Sequence, residues 1–128
     1  MAKYLSQEWL DDWRTLSQEQ PERPGASVMM QYHVTGGPEG DTDYYWVLDE
    51  GRIAEAKLGK HPAPEFTMTL TYEDGAKVEK GELDPSAAFM QGKLKVAGNM
   101  AKLMSLMPVT SSPEWKQLAE KMSANTEV

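Results

Sequence analysis

Apolar positions along the chain recur with two different periods, and the switches between them outline the elements. In residues 6–17 the step is helical: Trp9, Trp13 and Leu16 are four and three apart, and Ser6 stands where an N-cap belongs. Leu5 and Leu10 occupy the two positions of a hydrophobic staple. Pro21, Pro24 and Gly25 then mark a loop. From there the period becomes two. Over 26–34, Val28, Met30, Tyr32 and Val34 share one face, opposite Ser27, Met29, Gln31 and His33. A polar turn at 36–41 separates this strand from a second over 44–49, and Glu50-Gly51 is a tight hairpin into a third over 52–58. A loop with Pro62 and Pro64 leads to a fourth strand over 66–72. There Phe66, Met68, Leu70 and Tyr72 alternate with Thr67, Thr69 and Thr71, so one face is buried and the other wet.

The second half is punctuated by caps. Thr71 opens a short polar helix that Gly81 closes, and Asp84 with Pro85 opens another that ends at Gly92. A fifth strand over 93–97 turns Leu94 and Val96 inward and Lys93 and Lys95 outward. Gly98 turns the chain, Asn99 caps a methionine-rich helix, and Pro108 is expected to stop it. Ser112 and Pro113 begin a last helix whose Trp115, Leu118, Ala119 and Met122 share a face. Strands before helices predict an α+β two-layer fold, a five-stranded and mostly antiparallel sheet with helices on one face. The long path between the fourth and fifth strands predicts one parallel pair there, by a right-handed crossover. The length of 128 residues fits a single unit spanning 1–128.

Composition narrows the function. There are 20 acidic and 13 basic residues, a formal charge of −7. Phosphate backbones repel such a chain, so nucleic acid is not an expected partner. With no cysteine, disulfides, thiolate metal sites and a cysteine nucleophile are excluded. No signal-peptide pattern or run of eighteen apolar residues occurs, so a cytoplasmic protein is expected. His33 and His61 lack metal-site spacing, and no nucleophile elbow or phosphate-binding glycine loop occurs, so neither a histidine metal site nor enzymatic activity is expected. Lys93, Lys95 and Lys102, with Lys77 and Lys80 nearby, form the one basic concentration. It reads either as a solvated sheet face or as a dock for an anionic headgroup or acyl-CoA phosphate.

Met100, Leu103, Met104 and Met107 are spaced by three and four residues, and Met30, Met68, Met90 and Met122 add to the thioether content. Core packing explains such a stripe, but methionine also repacks readily around guests of different shape.

Gly81-Glu82-Leu83-Asp84-Pro85, then Ala88-Phe89-Met90-Gln91-Gly92-Lys93-Leu94-Lys95-Val96, then Gly98-Asn99-Met100 and Leu106 closely resemble the sterol carrier protein 2 (SCP-2) domain family. Phe66-Thr67-Met68-Thr69-Leu70 resembles the strand preceding that region in the family. The resemblance implies an apolar tunnel between sheet and helices. It also implies binding, and in some members transfer, of fatty acids, fatty acyl-CoAs, phospholipids or sterols, with no cofactor and no metal. The last three residues, Thr126-Glu127-Val128, do not match the peroxisomal address of family members. The residues expected to form the tunnel wall are Phe89, Leu94, Val96, Met100, Leu103, Met104 and Met107, with Trp115, Leu118 and Met122 as candidates for a lid. The expected partner is an apolar lipid, with transient membrane or enzyme contact, and the oligomeric state is open. The alternative to a carrier is an accessory module that presents apolar substrates to a separate enzyme or regulates one.

Overall fold

The structure is a computed structural model and describes residues 1–128. Seven strands and five helices follow one another: β1 (Ala2–Lys3), α1 (Gln7–Ser17), β2 (Val28–Gly37), β3 (Gly40–Asp49), β4 (Arg52–Leu58), β5 (Phe66–Thr71), α2 (Tyr72–Glu79), α3 (Pro85–Met90), β6 (Lys95–Gly98), α4 (Met100–Thr110), α5 (Pro113–Ala124) and β7 (Thr126–Glu127). The five central strands form one sheet in the order β4-β3-β2-β5-β6. All pairs are antiparallel except β2 with β5.

The parallel pair is therefore not the expected one. β5 joins β6 antiparallel, with Phe66 opposite Gly98 and Met68 opposite Val96. Gly81 and Gly92, at φ of 79° and 76°, reverse the chain after α2 and after α3, so the excursion returns to the end of the sheet it left. It is instead the loop 59–65 that carries the chain from β4 past β3 to the far side of β2. The first hairpin is also tighter than expected, with β2 and β3 running on to Gly37 and Gly40. Glu50 and Gly51 both take positive φ, 52° and 88°, as a two-residue turn between right-twisted strands requires.

One face of the sheet carries Tyr44, Trp46, Met30, Tyr32, Phe66 and Met68 towards the helices. Trp9 and Trp13 of α1 meet Tyr44 and Trp46 at ring-centroid distances of 5.4 and 5.0 Å. Trp115 of α5 stacks on Trp13 at 6.2 Å. Such aromatic contacts each add about 0.5–1.5 kcal/mol beyond the area they bury. The helix caps are formed as the sequence predicts. Ser6, Thr71, Asp84, Asn99 and Ser112 each accept a backbone N–H from the first turn of their helix.

Two side-chain anchors have no pattern in the sequence. Ser17 is fully buried; its hydroxyl donates to the Arg14 carbonyl and accepts the Ile53 N–H at 3.0 Å. That N–H lies beside the register shift between Val47 and Leu48, so the serine completes an interrupted ladder. Gln31, on the face away from the helices, donates to the Tyr44 and Gly59 carbonyls and accepts the His61 N–H at 2.8 Å, which pins the loop 59–65. Finally, the two chain ends pair as parallel strands, Ala2 beside Thr126 and Lys3 beside Glu127.

Candidate functional site

The segment that carries the candidate residues is held at few points. The Asp84 carboxylate accepts the Ala87 N–H at 3.1 Å and starts α3, and Lys93 and Leu94 donate their N–H groups to the Ala88 carbonyl. β6 is an edge strand of four residues. At its end Gly98 takes φ of 123°, where a Cβ would lie 2.7 Å from both the Glu65 carbonyl oxygen and Phe66 Cα. Only glycine lets the chain pass that close to β5. The Asn99 N–H then bonds the Glu65 carbonyl at 2.8 Å, and the Asn99 side chain caps α4.

α4 rests on the body through Leu106 and Val109, which are buried, and through the half-buried Leu103. One polar latch adds to this. Lys102 Nζ lies 3.4 Å from Glu65 Oε2 and donates to the Ser27 carbonyl, while Glu65 Oε1 accepts the Met29 N–H at 3.1 Å. Pro108 does not stop the helix; it lies inside it, and the last turn runs to Thr110. The loss of one N–H is outweighed there by the burial of Val109, the next residue.

The ten expected site residues fall into three groups. Leu94, Val96 and Leu103 are half-buried and pack against the core, Val96 lying beside Met68 in the sheet. Met100, Met104 and Met107 look outward, Met104 being 61% exposed, and Phe89 on α3 is exposed as well. Trp115, Leu118 and Met122 lie wholly inside the core. Two surface cavities, of about 160 and 470 Å³, lie beside α5 and between α1 and β4, and polar side chains predominate in both. Neither touches α4. Leu106, Val109 and Glu65, which hold α4 in place, were not among the ten expected residues. α4 is apolar almost all round, so its spacing fits the inner row Leu103, Leu106 and Val109 as well as the outer methionines.

His33 Nδ1 lies 2.6 Å from Asp43 Oδ1 on the open face of the sheet, and Asp41 is 3.7 Å from Nε2. No group of three acidic, histidine or cysteine side chains could hold a metal ion. Another carboxylate drawn inward is Glu79 of α2. It accepts the Trp9 indole N–H at 2.9 Å and the Thr126 hydroxyl at 3.2 Å, joining α1, α2 and the C-terminal strand. Burial pushes its pKa up, and these two hydrogen bonds only partly oppose that. The folded chain therefore holds this proton more tightly than the unfolded chain does. Its contribution to stability is greatest below the unfolded value of 4.5 and is lost as pH rises through the folded one. Glu79→Gln is expected to flatten this dependence, with urea midpoints that differ less than the parent's between about pH 5 and about pH 8. An unchanged pH dependence would assign it to other groups.

Comparison with known proteins agrees with this architecture. The sequence model of the SCP-2 sterol transfer family matches residues 15–111. Sterol carrier protein 2 of Rattus norvegicus is 32% identical over 88 residues, covering 68% of this chain and 16% of that protein. Hydroxysteroid dehydrogenase-like protein 2 of Homo sapiens is 45% identical over 72 residues, covering 55% of this chain and again 16% of the relative. The match thus spans about one sixth of the length of these curated relatives. Among solved structures, a conserved hypothetical protein of Thermus thermophilus superposes with a TM-score of 0.74 over 96% of this chain and 92% of its own, at 17% identity. A palmitated sterol carrier protein 2 like 2 of Aedes aegypti gives 0.66 over 88% and 96%, at 18% identity. The structural likenesses show the fold.

Proposed function

The chain belongs to the SCP-2 sterol transfer family, and from that premise we propose that it binds a fatty acid or another lipid with a long acyl chain beneath α4, without transforming it. The observation that carries this reading is the thin attachment of α4. Leu103, Leu106 and Val109 join the same apolar cluster as Phe66, Met68, Leu94 and Val96, α4 touches the body chiefly through β5 and α5, and a single ion pair, Lys102 with Glu65, closes the polar side. A helix held by so few contacts can lift, and the space it opens is apolar on both sides. An acyl chain entering there gains about 0.8 kcal/mol per methylene, so ten methylenes give roughly 8 kcal/mol gross. That is enough for micromolar affinity with no specific polar contact. Met100, Met104 and Met107 then form the rim of the opening. The palmitated relative from Aedes aegypti agrees with an acyl ligand.

A second reading has its own observation. The curated relatives are much longer than the segment they share with this chain, and some are hydroxysteroid dehydrogenase-like proteins. On this reading the chain is an accessory module that presents apolar substrates to an enzyme. Two measurements separate the possibilities. Native mass spectrometry of the purified protein is expected to show bound fatty acid or phospholipid, and added oleate to displace a fluorescent fatty-acid probe. A protein that is empty and takes up no probe would sink lipid binding altogether. Lipid binding together with a stoichiometric enzyme in a pull-down would favour the accessory role.

A further inference from the structure

The two edges of the sheet are finished differently. At β4, side chains of α1 take the place of a neighbouring strand. The Gln7 side chain donates to the Ala56 carbonyl and accepts the Leu58 N–H, at 2.9 and 3.1 Å. Arg14 Nε donates to the Ala54 carbonyl at 3.0 Å, Gln18 donates to the Ile53 carbonyl at 2.8 Å, and Ser17 accepts the Ile53 N–H. This edge is closed to any further strand. At β6 nothing comparable is built. The Asn99 N–H bonds the Glu65 carbonyl, so alternation along this antiparallel pair turns the backbone groups of Lys95 and Ala97 towards β5 and those of Val96 and Gly98 outward. No helix or loop bonds these outward groups, and Gly98 is exposed.

We propose that the open edge of β6 takes up one more strand, an extended segment of a partner protein with acidic side chains at alternate positions. A free ladder edge offers main-chain hydrogen bonds to any extended chain, and charge selects which chain uses it. Lys95 stands opposite Thr69 on the face of the sheet away from the helices, with Lys93 two residues before it, and both are exposed. Lys57, Lys77, Lys102 and Lys121 form ion pairs; Lys93 and Lys95 form none, and residues 85–113 contain no acidic side chain. An acid beside Lys95 on the added strand makes a cross-strand pair of opposite sign. On the other face Leu94 and Val96 are half-buried, so the positions between the acids suit apolar side chains. A second copy of the chain fits less well, because two β6 edges brought together would set the same lysines against each other. The lysines that keep copies apart thus admit an acidic strand. All 20 acidic residues lie outside 85–113, and they repel such a segment from the rest of the surface. The edge does not depend on the internal lipid site, and strand addition is read separately from probe displacement.

The test is titration of the full chain with a capped peptide of alternating glutamate and valine, about six residues long, followed by NMR of the backbone amides. Shifts are expected along β6 and the adjoining β5, with a dissociation constant of about 0.1–1 mM. At saturation the Val96 and Gly98 amides are expected to exchange with solvent at least roughly threefold more slowly. The same peptide with lysine in place of glutamate is expected to bind at least about tenfold more weakly. Methylating the backbone nitrogens that face β6 leaves the charge unchanged and is expected to weaken binding by a similar factor, which tests the hydrogen-bonded edge without altering the protein. Lys93→Glu with Lys95→Glu is expected to reverse the preference between the two peptides, with the urea midpoint at the parent value because both positions are exposed. No binding at about 5 mM glutamate peptide, shifts centred away from β6, or a methylated or lysine peptide that binds as well as the first would overturn the proposal.

Discussion

Gly98→Ala is expected to cost about 3 kcal/mol of folding stability, read as a lowered urea midpoint with an unchanged slope. Two effects add. An alanine at φ of 123° is strained by itself. Its Cβ would also lie 2.7 Å from the Glu65 carbonyl oxygen and from Phe66 Cα, both backbone atoms that cannot swing aside. Relief requires β6 to move off β5, breaking the pairing of Phe66 with Gly98 and the Asn99 N–H bond that seats α4. Gly92→Ala is the matched control. It shares positive φ, 76°, but a Cβ there meets nothing within 4 Å, so only about 1 kcal/mol is expected. Equal losses in the two variants would show that close approach at Gly98 is not what fixes the edge strand.

Met122→Ala should be nearly as costly, roughly 2–5 kcal/mol. Met122 is completely buried in α5, in one cluster with Trp115 and Leu118, and the Thr126 hydroxyl, whose one proton is shared between the Met122 carbonyl and Glu79, closes the helix end. Truncation would leave a cavity that the surrounding tryptophans are too large and too well packed to refill. The experiment also bears on the role of α5. A mobile lid would lose little stability on truncation and would release a bound fatty-acid probe faster. A core helix shows the reverse, a clear drop in midpoint with little change in probe release.

The elements were legible because each announces itself by local chemistry. Ser6, Thr71, Asp84, Asn99 and Ser112 all cap as their spacing implies, and β4 and β5 follow the alternation in the sequence closely. The parallel pair was not, because strand direction depends on where a connection ends in space, and two glycine reversals folded the α2–α3 path back on itself. The extension of α4 past Pro108 likewise reflects a tertiary contact, the burial of Val109, that overrides a local rule. Around the proposed site the sequence marked the apolar helix that becomes α4, but a helix apolar on every side carries no asymmetry to say which stripe turns inward. Ser17, Gln31 and Glu79 gave no signal, because a single polar residue acquires its partners only when distant strands and helices meet.

The pairing of Ala2 with Thr126 and of Lys3 with Glu127 has a topological consequence. Because the two end strands lie side by side, the polypeptide is nearly a circle. A bridge of about four residues could join its ends without disturbing a core contact, and the ring could be reopened at the exposed Pro38-Glu39 tip of the first hairpin. The order in which the sequence is read would then change while the sheet stayed as it is. A domain attached at the first residue or at the last would be tethered to the same patch of surface, so exchanging one attachment for the other would barely alter its reach.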